Sequence, residues 1–188
     1  MSRDKGEPFK RLFFALDCTE PQRRAIAQWR RDLGLRNGKP VPTENFHLTL
    51  LFLGNVETAQ VPAICAAVDG LKLPTAPLRL VLDQLQSWPR SGVLVLAPQQ
   101  TPPALRQLVY ALQQALLPLG FIEQAREFRP HLTLSREFRP HLTLSREFRG
   151  EVPEAGTAPE FFLAARHFTL LESRKGCYWP LGRWTLGQ

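Results

Sequence analysis

Residues 126–150 read REFRPHLTLSREFRPHLTLSREFRG: ten residues, the same ten again, and the start of a third copy. The tetrapeptide HLTL inside each full copy also stands alone far upstream, at residues 47–50. In a strand, successive side chains point to opposite faces. In His47-Leu48-Thr49-Leu50 the imidazole and the hydroxyl therefore share one face, and the two leucines share the other. His131/Thr133 and His141/Thr143 repeat that geometry. The leucines can anchor each strand in a core while histidine and threonine project together.

Working outward, the two halves of the chain rhyme. RLFFALD (residues 11–17) predicts a buried strand, and the capping box Thr19-x-x-Gln22 starts a helix carrying Ile26, Trp29 and Leu33, ended by Gly34. A proline-bearing loop leads to FHLTLLFLG, a strand expected to stop at Gly54. A helix is expected over Val56 to Leu71, then a turn to Pro77, then strands at residues 78–82 and 91–98. Pro102 and Pro103 open a helix with the apolar stripe Leu105, Leu108, Val109, Leu112 and Leu116, capped by Gly120. The duplicated segment, a Gly/Pro-rich loop, the strand HFTLLES and a half-extended aromatic tail complete the order. Each half thus holds a helix, a proline-bearing loop and an HLTL strand. The expected fold is α+β and bilobal: two pseudo-two-fold-related lobes of antiparallel sheet plus helices, with a central cleft.

At 188 residues and 44% hydrophobic content, the chain has enough apolar material for one packed domain, residues 1–188. No run of about 18 apolar residues occurs, so no membrane span is expected. The polar N-terminus shows no secretory signal. Cys18, Cys65 and Cys177 are far apart and fit no metal spacing, so they read as reduced thiols of a cytoplasmic protein, expected to be a monomer. A net charge of +7, carried largely by arginine, favours an anionic partner such as nucleic acid or a phosphate ester.

Two strands of this kind facing across a cleft would put two histidines and two threonines around one small volume. In-line displacement at a phosphodiester needs a group that takes a proton from the attacking oxygen and one that gives a proton to the departing oxygen. Imidazoles with an ordinary pKa of about 6.5 do both near neutrality. The threonines and an arginine would hold the non-bridging oxygens as charge builds on them. No carboxylates accompany the motifs, so chemistry without metal or cofactor is expected. A single HLTL would fit a plain half-buried strand with a hydrogen-bonded histidine; two copies in matching contexts on a basic chain favour catalysis. The tandem copy adds no weight, because a duplication is not independent.

The paired motifs NFHLTLLFLG and FRPHLTLSR, with RLFFALD before them and FTLLES after, resemble the two-histidine phosphoesterase superfamily. Within it the chain is similar to the bacterial RNA 2',3'-cyclic phosphodiesterase (2'-5' RNA ligase) family. That resemblance implies hydrolysis of RNA 2',3'-cyclic phosphate ends to 2'-phosphates, with reversible 2'-5' ligation as the same transfer to a ribose hydroxyl. It implies His47 as the proton donor and His131 or His141 as the proton acceptor. Thr49 and Thr133 or Thr143, with Arg136 or Arg146, would bind phosphate. Expected partners are RNA ends, including tRNA fragments, or cyclic nucleotides. A non-catalytic RNA-end binder on the same fold is the alternative. Phe14 and Trp88 are candidate base-stacking platforms against the plainer expectation of core packing. The family has one second motif, so ten residues here are surplus. His131 is favoured because it leaves a short connection after Gly120.

Overall fold

The alternation read in HLTL becomes a row of leucines through the centre of the molecule. The computed structural model describes residues 8–122, 128–138 and 156–187. In chain order the elements are β1 (Phe9–Asp17), α1 (Glu20–Asp32), β2 (Lys39–Pro40), β3 (His47–Glu57), α2 (Val61–Asp69), β4 (Leu78–Leu82), β5 (Gln84–Trp88) and β6 (Val93–Ala97). They continue with α3 (Pro103–Leu116), β7 (Leu132–Arg136), β8 (Phe161–Ala165), β9 (His167–Arg174) and β10 (Cys177–Thr185). The main antiparallel sheet runs β10-β9-β1-β3-β7-β6-β5, with β2 added on β7, and β4 pairs β8 in a second small sheet.

Among the described residues, the two halves of the main sheet meet at a single residue pair, Leu48 opposite Leu132, one from each HLTL. Leu16 lies opposite Leu48 on β1, and Leu96 opposite Leu132 on β6. These four leucines are at most 2% exposed, so the seam is anchored by buried apolar contact on both sides. The strand–helix–strand unit β1-α1-β3 has its counterpart in β6-α3-β7, and Thr49 opposite Ala15 is matched by Thr133 opposite Val95. The expected antiparallel, helix-backed halves are present. One buried cluster nonetheless runs through both, so they share a core.

Thr19 caps α1 through the expected reciprocal bonds with Gln22. Near the other end of α1, Arg30 donates to the carbonyls of Val41 (2.6 Å) and Leu134 (2.8 Å), tying the helix to the second-motif strand. An arginine in a basic cluster is thereby used as a half-buried strut.

Several boundaries differ from expectation. Gly54 does not stop β3; its φ of +76° lies beside a register irregularity that lets the strand bend and run on to Glu57. Val56 accordingly belongs to the strand, and α2 starts only at Val61, with Pro62 in its first turn. β5 and β8 were not expected. QLQSW lacks an apolar alternation, and its five residues are all half-buried. The aromatic tail is a full edge strand, with Pro180 accommodated at a bulge.

Gly38 positions the strand that carries Arg136. Its φ is +84°, and a Cβ there would sit 2.6 Å from Ser135 Oγ and 3.0 Å from the Arg136 carbonyl. Gly38→Ala is expected to cost about 1–3 kcal/mol from backbone strain alone, read as a lower denaturant midpoint.

Candidate active site

The residues before and after each seam leucine point away from the core, as strand alternation requires. His47 and Thr49 from β3, and His131 and Thr133 from the second motif, line one cleft of about 1220 Å³ together with Arg136 at the end of β7. All five are residues that the sequence singled out. His141, Thr143 and Arg146 lie outside the described residues.

Both imidazoles are held in the same way. His47 Nδ1 is 2.7 Å from the Asn45 carbonyl, and His131 Nδ1 is 2.8 Å from the Arg129 carbonyl, each two residues back. A carbonyl can only accept, so Nδ1 carries the proton in both rings and Nε2 is left as the basic nitrogen. His47 Nε2 lies 2.9 Å from Thr49 Oγ1. When that nitrogen is bare the threonine donates to it; when it is protonated the bond reverses, and the hydroxyl proton is freed to face a ligand. Nε2 of His131 has no protein partner among the described residues.

Aromatic rings fix both histidines laterally. Phe13 and Tyr178 each lie 5.1 Å from the His47 ring, centroid to centroid. Trp88 lies 4.4 Å from the His131 ring, and its indole N–H is pinned by Gln86 at 2.9 Å. Phe14 is corrected here: it is fully buried against Phe168 and Trp184, and a base cannot reach it. Its neighbour Phe13 is the residue that lines the cleft. The sequence held the signal, because Leu12, Phe14 and Leu16 form the unbroken apolar set of RLFFALD and leave Phe13, Ala15 and Asp17 on the other face. Trp88, the second candidate platform, does line the cleft.

Burial pushes the His47 imidazole below its ordinary value of 6.5, against the Asn45 hydrogen bond, which favours the cation. Arg136 and His131 add to the downward shift, and Asp17, opposite His47 in register, opposes it. Burial likewise lowers His131; the Arg129 hydrogen bond opposes that, and the charges of Arg129 and Arg136 reinforce it. Both shifts favour the neutral ring, and the nearby guanidinium charges put the pair under a positive potential that an anion would offset. Among the described residues, no three His, Cys, Asp or Glu side chains group as a metal site would require. No helix among them is long and apolar enough to cross a membrane.

Comparison with known proteins fits this geometry. The family described as LigT like Phosphoesterase matches residues 16–95. The chain is 34% identical to the Escherichia coli RNA 2',3'-cyclic phosphodiesterase, over 97% of this chain and 99% of that protein. Crystal structures of E. coli LigT with NADP+ and with 3'-AMP each superpose with a TM-score of 0.77. Their identities to this chain are 32% and 33%, and each match covers 96% of this chain and 99% of theirs.

The lowered histidines make stability depend on pH. As pH falls below 6.5 the unfolded chain gains a proton on each ring before the folded chain does. Their contribution is thus fully present above that value and is lost as pH falls through the lower folded values. Thermal unfolding followed across this range should show a falling midpoint, and His47→Gln or His131→Gln should each flatten the curve.

Proposed function

The chain belongs to the LigT-like phosphoesterase family, and on that basis we propose that it hydrolyses RNA 2',3'-cyclic phosphate ends to 2'-phosphates. The observation that carries this reading is the matched pair of imidazoles. Each is locked by a carbonyl at Nδ1, and each is directed into one cleft that also holds a guanidinium. Two nitrogens presented in the same tautomer can exchange one proton each with the two apical oxygens of an in-line displacement.

In the proposed reaction His131 Nε2 takes a proton from water as the water oxygen bonds to phosphorus. The bond from phosphorus to O3' breaks, and His47, protonated at Nε2, gives its proton to that oxygen. The products are a 2'-phosphate and a free 3'-hydroxyl. Thr49, Thr133 and Arg136 hold the non-bridging oxygens, where negative charge builds. Asp17 supports His47 as the acid, because its negative charge opposes the burial that lowers His47, and among the described residues no carboxylate does the same for His131. The bound phosphodiester anion favours protonation further by offsetting Arg136. With a ribose 5'-hydroxyl in place of water, the same transfer forms a 2'-5' linkage. The substrates proposed are RNA ends, such as those of tRNA fragments, and cyclic nucleotides.

The second copy enters as a substitute. Every residue of the described segment 128–138 recurs, in order, at 138–148, including His141, Thr143 and Arg146. Turnover of a 2',3'-cyclic nucleotide in the presence of a chelator, with the product identified by ³¹P NMR, tests both points. His47→Ala is expected to lose on the order of 10²–10⁴ in rate, as is the double variant His131→Ala/His141→Ala. Each single alanine in the two copies should keep measurable turnover. A 3'-phosphate product, or full activity of His47→Ala, would exclude the proposed roles. Abolition by His131→Ala alone would exclude substitution by the second copy.

A further inference from the structure

The carbonyl that holds His47 is itself held by a distant part of the fold. Asn45 ends the short 3-10 turn Thr43–Asn45 that leads into β3, and its backbone oxygen lies 2.7 Å from His47 Nδ1. Its side-chain amide donates to the carbonyl of Gly176 at 3.0 Å. Gly176 belongs to the tight turn between β9 and β10. Arg174 lies opposite Cys177 there, and Lys175 and Gly176 between them have φ of +51° and +74°. Positive φ at both central residues is what a type I' hairpin turn requires, and the two paired strands fix where its carbonyls point. The same hairpin carries Tyr178, whose ring meets the His47 ring edge-on at 5.1 Å. Asn45, Gly176 and Tyr178 all line the cleft. One hairpin thus reaches His47 twice, through a hydrogen-bonded relay to Nδ1 and directly against the ring.

The His131 side is built differently. Its Nδ1 carbonyl belongs to Arg129, whose guanidinium carbon lies over Trp88 at 4.3 Å from a ring centre. The difference matters because the two histidines have unequal tasks in the proposed reaction. A base receives its proton on a nitrogen that is bare at rest. An acid must carry a proton on each nitrogen before the reaction, inside a buried site, and so depends on a fixed acceptor at Nδ1. The Asn45 hydrogen bond is the main influence that favours the charged form of His47 against burial. An acceptor that drifts also lets the ring turn, and a small misalignment at a reacting atom is costly.

We propose that Asn45 is the positioning residue of the acid: its amide, pinned to the β9–β10 turn, fixes the carbonyl that holds His47 Nδ1–H and so aims Nε2 at the departing oxygen. The assignment rests on the reaction proposed above, in which His47 is the proton donor.

Two measurements test it. In the first, kcat and KM for 2',3'-cyclic AMP are compared among wild type, Asn45→Ala and Asn45→Gln. The alanine removes the amide and leaves the backbone carbonyl in the chain. It should lower kcat by roughly tenfold and leave KM within about twofold, and Asn45→Gln, which keeps a donor, should recover part of the loss. In the second, the histidine ring ¹⁵N shifts of the free protein are followed against pH. His47 and His131 are assigned by the signals missing from His47→Gln and His131→Gln. Because the carbonyl bond favours the cation, loosening it in Asn45→Ala should lower the His47 midpoint and leave that of His131 in place. The other groups that face His47 are Asp17 from β1, Arg136 and His131 from the second motif, and Tyr178 from β10, and all stay the same in this variant. A wild-type kcat in Asn45→Ala would overturn the proposal, as would an unmoved His47 midpoint. Equal shifts at His47 and His131 would overturn it too, since a general loosening of the fold gives that result. A wild type without turnover would sink the parent reaction, and the titration would still decide whether Asn45 holds His47.

Discussion

Everything the site does depends on one backbone pairing, Leu48 opposite Leu132. A single bridge between two four-residue motifs brings two histidines from far apart in sequence to one place. Because antiparallel pairing aligns the two strands about that bridge, each histidine lies on the same face of the sheet and on opposite sides of the pair. A slip of one residue on either strand would bury an imidazole and expose a leucine. The four-leucine row, fully in the core, opposes such a slip on both strands at once. The register of the paired histidines and threonines is thus secured by the apolar residues between them.

The remaining parts of the site reinforce this placement from outside the seam. Arg30 reaches from α1 to the Leu134 carbonyl, and Val41 donates its amide to the same oxygen at 3.0 Å. β2 then pairs alongside Ser135 and Arg136, with Gly38 admitting the close approach. The end of β7, where Arg136 lines the cleft, is therefore held by a helix and an added strand. The His47 end is braced by Phe13 and Tyr178, and the His131 end by Trp88. Different side chains perform the same service in the two halves, which is why the kinship shows in HLTL and fades elsewhere.

Much of this was legible in the chain because strand alternation is a local rule. His, Leu, Thr and Leu at four consecutive positions say which pair meets solvent, and the matching context of the two copies says that the pairs meet each other. The helices were readable for a similar reason, since Thr19, Gln22, Pro103 and Gly120 are local signals. What was not legible depends on partners. β5 has no apolar alternation of its own and exists as a strand because β6 offers it an edge. Gly54 reads as a stop by itself and becomes a bend once β1 pairs across it. Arg30 could not be separated from its basic neighbours until a pair of carbonyls appeared at its tip.

The duplication presses the same point in energetic form. Since 128–138 and 138–148 are identical, no side-chain contact of the described strand distinguishes the two copies. What remains is the partition of connecting chain. With the first copy in the sheet, the connections from Gly120 to Phe128 and from Phe138 to Phe161 contain 7 and 22 residues; with the second they would contain 17 and 12. If closure entropy scales with the logarithm of length, these two partitions differ by only about 0.2–0.3 kcal/mol, well below thermal energy. Ten is also an even number, so the insertion preserves which side chains face the cleft. A duplication of this length leaves the chemistry of the seam untouched, and it moves the choice of second histidine from the core, where specificity normally resides, to the connections.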